Sequence, residues 1–204
     1  MRYKKKKGTL FIVSGLVMIC AAFILTGYNA YQNEAAKKVS VSIVKQLDSM
    51  NDLDMESDST EMQIPLYEQY PDMAMPTVQL DSGTYIGVLK IPLLGLELPV
   101  MESWSYAKLQ TAPCRYEGSV YKDNMIIAGH NYNSHFGKLQ NIGRGELIEF
   151  EDIQGHVFTY EVVEKELIPG TGTEQMLDGD WDLSLFTCNY DGSNRVTIRC
   201  IRVM

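Results

Sequence analysis

Little in this chain titrates near neutrality, and thiols are few: 204 residues hold three histidines and four cysteines. There is no Gly-rich phosphate loop, no Gly-x-Ser-x-Gly elbow and no His-Glu-x-x-His pair. The commonest sequence routes to nucleotide, serine-esterase and zinc-peptidase chemistry are therefore missing. Internal repeats and low-complexity tracts are absent as well. Positive charge is absent from a long stretch: from Gln46 to Ser82 there is no Lys or Arg, while Asp48, Asp52, Asp54, Glu56, Asp58, Glu61, Glu68, Asp72 and Asp81 are spread among Met, Ser and Pro. The formal net charge is -8, and Arg2 with Lys4 to Lys7 crowds at one end, so the remainder is more acidic still. A folded part without a basic surface excludes nucleic acid as a partner.

What is present begins with one long apolar run. Thr9 to Tyr28, "TLFIVSGLVMICAAFILTGY", carries no charge, and about twenty helical residues at ~1.5 Å rise span the ~30 Å of a bilayer core. A cleaved signal peptide is the rival, but its apolar region is usually about 7 to 15 residues followed by a small-x-small site. The downstream "GYNAYQNEAA" offers a poor one. The lysine cluster before the run places the N-terminus in the cytoplasm by the positive-inside rule. The expected organisation is a basic cytoplasmic segment over 1–8, a transmembrane anchor over 9–28, an extracytoplasmic arm over 29–83 and a catalytic domain over 84–204, in a single-pass protein of the cell membrane.

Within the arm, Ala36, Val39, Ile43, Val44 and Leu47 recur at helical spacing with lysines and serines between them, which predicts an amphipathic helix over 31–50. The acidic stretch after it reads as a solvated linker, with a lid over a binding groove as the alternative. Beyond Thr84 the texture changes to β-prone runs: "TYIGVLKI", "LELPV", "NMIIAGH", "ELIEFED", "VFTYEVVEKELI", "WDLSLFTC" and "RVTIRCIRV". Short helices are expected at Ser105–Ala112 and Ser134–Leu139, and a tight hairpin at Gly155. The whole predicts a mostly β domain, an antiparallel barrel or sandwich.

Of the cysteines, Cys20 lies in the apolar run, and Cys114, Cys188 and Cys200 leave at least one unpaired. A Cys114–Cys200 bond stays open, although Cys200 alternates with Val196 and Ile198 as a small buried residue would. His156 sits at a hairpin tip, where an exposed, inert histidine is expected, and His135 at a short helix start, where a structural role is expected. His130 differs, because the apolar run "MIIAGH" delivers it to a strand end. Cys188 repeats that placement after "LSLF", and Arg195 opens the strand after the next turn. A thiol becomes a nucleophile once ionised, which a histidine or a cation nearby favours, and a guanidinium can hold a developing oxyanion. Zinc held by His130, His135 and Cys188 is the competing chemistry, but the spacing is atypical. Glu146, Glu149, Glu151 and Asp152 alternate along a strand as a solvated face; no metal and no cofactor are expected.

The segments "MIIAGHNYNSHFGKLQNI" and "SLFTCNYDGSNRVTIRC", with "LKIPLLGLELPV" and "RYEGSVYKDN" before them, resemble the sortase family of membrane-anchored cysteine transpeptidases from about Tyr85 to Val203. The family signature Thr-Leu-x-Thr-Cys stands here as Ser184-Leu185-Phe186-Thr187-Cys188. The resemblance implies an eight-stranded β-barrel, with His130, Cys188 and Arg195 catalytic and Thr187 and Asn189 near the substrate. It also implies cleavage of a Leu-Pro-x-Thr-Gly-like signal through a thioester on Cys188, and transfer to an amine of a cell-wall precursor or pilin. Substrates would be surface proteins or pilins carrying that signal. The other readings are a hydrolytic thiol peptidase and a non-catalytic membrane-tethered domain that binds the cell wall. Asp191, in the turn with Gly192 and Ser193, reads as turn chemistry.

Overall fold

The computed structural model describes residues 3–55 and 64–203, with side chains from 8 to 49 and from 64 to 203. Glu56, Asp58 and Glu61 of the acidic arm therefore lie outside the described residues, as do the side chains of Lys4 to Lys7. The chain divides into two compact units, Met1–Ala35 and Ala36–Met204.

The described residues of the first unit belong to one helix, α1 (Tyr3–Met55). No Pro interrupts it, and between Leu10 and Leu25 its Leu, Ile, Val, Met and Phe side chains are all more than half exposed. Apolar groups standing free of any protein partner are what a helix surrounded by lipid presents. Among the described residues this is the one helix long and apolar enough to cross a membrane.

The second unit takes in the later turns of α1. Ala36, Ser40, Ile43, Val44 and Leu47 are buried, whereas Val39 turns outward. Ile43, Val44 and Leu47 pack with Tyr85, Val88, Met101, Ala112 and Cys114. Each such aliphatic side chain removed from water contributes about 1.5–3 kcal/mol. The described part of the arm, including α2 (Leu66–Gln69), seats Met75 in the main core with Tyr67 and Met73 packed against it. Tyr67 stacks on Tyr121 at 4.8 Å, while Asp72 reaches Lys122 at 2.7 Å across a largely exposed surface and adds little.

The remaining elements are β1 (Val78–Leu80), β2 (Gly83–Ile91), β3 (Leu96–Met101), α3 (Tyr106–Leu109), β4 (Cys114–Glu117), β5 (Met125–Ala128), β6 (Leu147–Asp152), β7 (Val157–Pro169), α4 (Thr173–Leu177), β8 (Leu183–Cys188) and β9 (Asn194–Arg202). The sheet runs β1-β2-β3-β4-β5-β8-β9-β7-β6, and β6 pairs back onto β2. Eight strands thus close into a barrel, with β1 added outside β2, and closure leaves the barrel few free edges. Alternation places Ile148, Phe150, Phe158, Tyr160, Val162, Ile198 and Cys200 in its core. The 3-10 turn at Leu139–Asn141 falls just beyond the helix expected over 134–139, and α3 is shorter than the 105–112 expected.

Two pairings are parallel, β3 with β4 and β5 with β8. Most of the barrel is antiparallel, as the spacing of the β-prone runs predicts, so β5–β8 is the exception that matters here. Parallel neighbours end at the same edge of a sheet.

Candidate active site

The β5–β8 register runs Met125↔Leu183 to Ala128↔Phe186, and Gly129 N–H continues it by donating to Phe186 O at 3.0 Å. Two residues past that last pair, on each of the two segments, stand His130 and Cys188. On the other side β8 and β9 form an antiparallel hairpin in which Cys188 is directly opposite Arg195. One parallel and one antiparallel pairing thus gather a thiol, an imidazole and a guanidinium at one end of the barrel.

The hairpin turn is made by its polar side chains. Asp191 Oδ1 accepts from Ser193 N–H at 2.9 Å and from Ser193 Oγ at 2.6 Å, which holds its carboxyl below the usual value. Asn189 Oδ1 accepts from Asn194 N–H at 3.1 Å, and Asn189 N–H donates to Asn194 O at 3.0 Å. That N–H is therefore engaged in the turn. Arg195 Nη1 donates to Gly192 O at 3.1 Å and to Asn194 O at 3.3 Å, leaving Nε and Nη2 without a protein partner among the described residues. Cys188 is exposed although Leu183 to Leu185 and Thr187 before it are buried. A thiol presented at a strand end is one that a substrate can reach.

Cys188 and Thr187 lie where two hollows meet. The larger, about 290 Å³, is walled by Trp104, Tyr106, Tyr116, Phe186, Met176 and Thr173, and Arg195 is its one charged lining residue. Its aromatic rings form a file, with centroid spacings of 5.5 Å for Tyr106–Trp104, 5.4 Å for Trp104–Tyr116 and 5.3 Å for Tyr116–Phe186. A mainly apolar groove with one cation near the thiol suits an extended peptide of apolar character. The smaller hollow, about 30 Å³, lies against Asn131, Gln140, Asn189 and Tyr190. The described residues of the acidic arm line neither. Thr187 Oγ1 is buried with no hydrogen-bond partner.

Met176 and Thr173 belong to the β7–β8 connection, which is fastened from inside the sheet. The buried Arg199 of β9 donates to Gln175 O at 2.7 Å, Met176 O at 2.9 Å, Ser184 Oγ at 2.9 Å and Glu166 Oε1 at 2.7 Å. Sequence reading did not single out Arg199. The signal is there, since "RVTIRCIRV" puts Arg199 on the face of Arg195 and Thr197 that alternates with Val196, Ile198 and Cys200, but only the packing of α4 reveals that this face is covered.

His130 is half-buried. Burial holds its imidazole below the ordinary histidine value, with the neighbouring Asn131 side chain acting in the opposite direction. Its Nδ1 is buried without a partner, and its ring stacks on Tyr132 with centroids 3.9 Å apart. The glycine before it has a steric reason: a Cβ on Gly129 would fall inside the Phe136 ring. His135 is fully buried, and that burial pushes it down to about 4, assisted by His130. His156 pairs its Nδ1 with buried Asp152 at 3.0 Å, and Tyr121 donates to the same carboxylate at 2.7 Å. Glu151 binds Lys90 at 2.7 Å. Among the described residues no three His, Cys, Asp or Glu side chains converge as metal ligands. Cys114 and Cys200 are both buried free thiols, not bonded to each other.

A family model for the sortase domain matches residues 89–203, more than half of the chain. A sortase A of Bacillus anthracis is 28% identical over 186 residues, covering 88% of this chain and 83% of that protein. Among solved structures, a Clostridium perfringens sortase D5 transpeptidase matches with a TM-score of 0.60 at 15% identity, over 82% of this chain and 99% of that one. Sortase C1 of Streptococcus suis matches with a TM-score of 0.52 at 22% identity, over 59% of this chain and 73% of that one. An eight-stranded closed barrel, a thiol at the end of a strand and a match across most of the catalytic unit lead to one conclusion: the chain belongs to the sortase family, whose members are cysteine transpeptidases.

Proposed function

We propose that this protein is a membrane-anchored transpeptidase that cleaves a Leu-Pro-x-Thr-Gly-like signal and joins the released acyl group to an amine. The observation that carries this reading is the strand pairing that brings His130 to the same barrel end as exposed Cys188 and its register partner Arg195, the latter two lining an apolar groove. The signal lies along the aromatic file with its threonine carbonyl at Cys188. The thiolate attacks that carbonyl, and Arg195 Nε and Nη2 hold the oxyanion, beside Thr187. Collapse forms the C–S thioester and breaks the C–N bond. Protonated His130 gives its proton to the leaving glycine amine. The second amine then attacks the thioester, His130 takes its proton, and the thiolate returns. Water in place of the amine gives only hydrolysis.

Burial lowers the affinity of His130 for its proton, which works against the imidazolium that the leaving amine needs. Residues 9–28 anchor the chain, with the lysines cytoplasmic and the catalytic unit outside. Surface proteins or pilins supply the signal, and a cell-wall precursor or a pilin lysine supplies the amine; the related Streptococcus pneumoniae sortase C is described for its pilin substrate specificity.

The test is intact-mass spectrometry of the full chain in detergent, mixed with Leu-Pro-x-Thr-Gly peptides and an oligoglycine amine. A peptide-sized adduct that the amine discharges, absent in Cys188→Ala, is the expected result. An adduct that persists in Cys188→Ala, or none with any signal peptide, overturns the reading.

A further inference from the structure

His130 must hold one orientation while it passes a proton, yet no carboxylate contacts it. A catalytic imidazole is commonly oriented through its second ring nitrogen, but His130 Nδ1 is buried and has no hydrogen-bond partner. Besides the Asn131 side chain, which hydrogen-bonds the imidazole, the ring touches Tyr132, lying nearly parallel at 3.9 Å with an interplanar angle of 15°. Tyr132 in turn leans on His135, ring centroids 5.7 Å apart. His135 Nε2 lies 3.5 Å from the hydroxyl of Ser40 on α1, and both residues are buried. The backbone fixes the same group: Phe136 N–H donates to His130 O at 3.1 Å, and His135 and Gly137 N–H both donate to Tyr132 O, at 2.9 and 2.8 Å.

We propose that Tyr132 is a positioning residue for His130, seated by His135 and Ser40, so that the Ala36–Leu47 turns of α1 belong to the active site's support. This rests on His130 being the proton carrier of the reading above. An aromatic face fixes the plane of the imidazole and keeps water off one side, which a hydrogen bond to Nδ1 would not do. The ionisable groups that the strand pairing brings to this end of the barrel are Cys188 at the end of β8 and Arg195 opposite it on β9, with Tyr132 and His135 on the loop that follows His130. Ser40 of α1 faces His135 with a neutral hydroxyl.

The test is Tyr132→Ala in the full chain in detergent micelles, read in two ways. The His130 ring is titrated by NMR, and kcat and KM are measured with a signal peptide and an amine. The expected result is a titration midpoint that rises toward the ordinary histidine value as water reaches the ring, with kcat lower by about tenfold or more. KM should stay within about twofold, because the groove itself is untouched. Tyr132→Phe, which keeps the ring, should rescue both. His135→Phe is the second variant; by loosening the seat it should move the midpoint and kcat in the same direction, and it decides the matter if Tyr132→Ala does not unfold cooperatively. An unmoved midpoint with unchanged kcat in either folded variant overturns the proposal, as does Tyr132→Phe behaving like Tyr132→Ala. The NMR reading needs no sorting signal, so it decides the positioning role even where the transpeptidation reading itself fails.

Discussion

Acid should unfold this domain through His135. Its side chain is fully buried, and burial lowers its proton affinity from the ordinary 6.5 to about 4. The unfolded chain takes up a proton as pH falls below 6.5, while the folded one refuses it until about 4. Stability from this group is therefore complete above pH 6.5 and is lost as pH falls through that window. At about 1.4 kcal/mol per unit, the loss approaches about 3 kcal/mol at pH 4, a large share of the roughly 5–15 kcal/mol that a domain possesses. Urea unfolding at pH 7 and pH 4, followed by circular dichroism, should give that difference in the native protein. His135→Leu removes the titrating group and should remove about 3 kcal/mol of the pH dependence, leaving that of the carboxylates and His130. The same pH dependence in both proteins would refute the argument.

Other substitutions test other parts of the structure. Arg199→Met strips four hydrogen-bond partners, Glu166 among them; because Glu166 reaches solvent, the cost should be about 3 kcal/mol, with a raised KM for signal peptide as α4 loosens. Leu47→Ala empties a site that is 4% exposed and should lower unfolding free energy by about 2–4 kcal/mol, checked by urea titration. Gly129→Ala forces the buried Phe136 ring aside and should cost about 1–3 kcal/mol, with reduced turnover because the displaced strand end carries His130. Arg195→Ala should lower kcat/KM by about 10²-fold or more, as loss of an oxyanion donor does, without altering the melting temperature.

The apolar run at 9–28 was legible from its lack of charge, and the β-prone runs after Thr84 from β-branched and aromatic residues set between turn residues, with alternation in some of them. Cys188, His130 and Arg195 could be chosen because each ends or opens a strand beside polar turn residues. The partners of those strands could not be read. Met125 to Ala128 is buried at every position, so it carries no alternation and says nothing of its parallel neighbour β8. Tyr132 and Arg199 were missed for a related reason. Their roles depend on what covers them: α4 over Arg199, and a stacked imidazole over Tyr132. The helix over 134–139 did not form as expected because His135 and Gly137 both donate to Tyr132 O, which tightens this segment into turns until Leu139.

The parallel pairing of β5 and β8 also governs when the protein becomes dangerous. His130 and Cys188 are far apart in sequence, and nothing local draws them together; only the pairing of two distant strands does. Contacts of such long range form late, because the loop between them must close first. On the proposed mechanism a newly made or partly unfolded chain therefore holds its histidine and its thiol apart, and it cannot cut or join peptides. In that reading reactivity belongs to the closed barrel, and the same step that completes the fold switches the chemistry on.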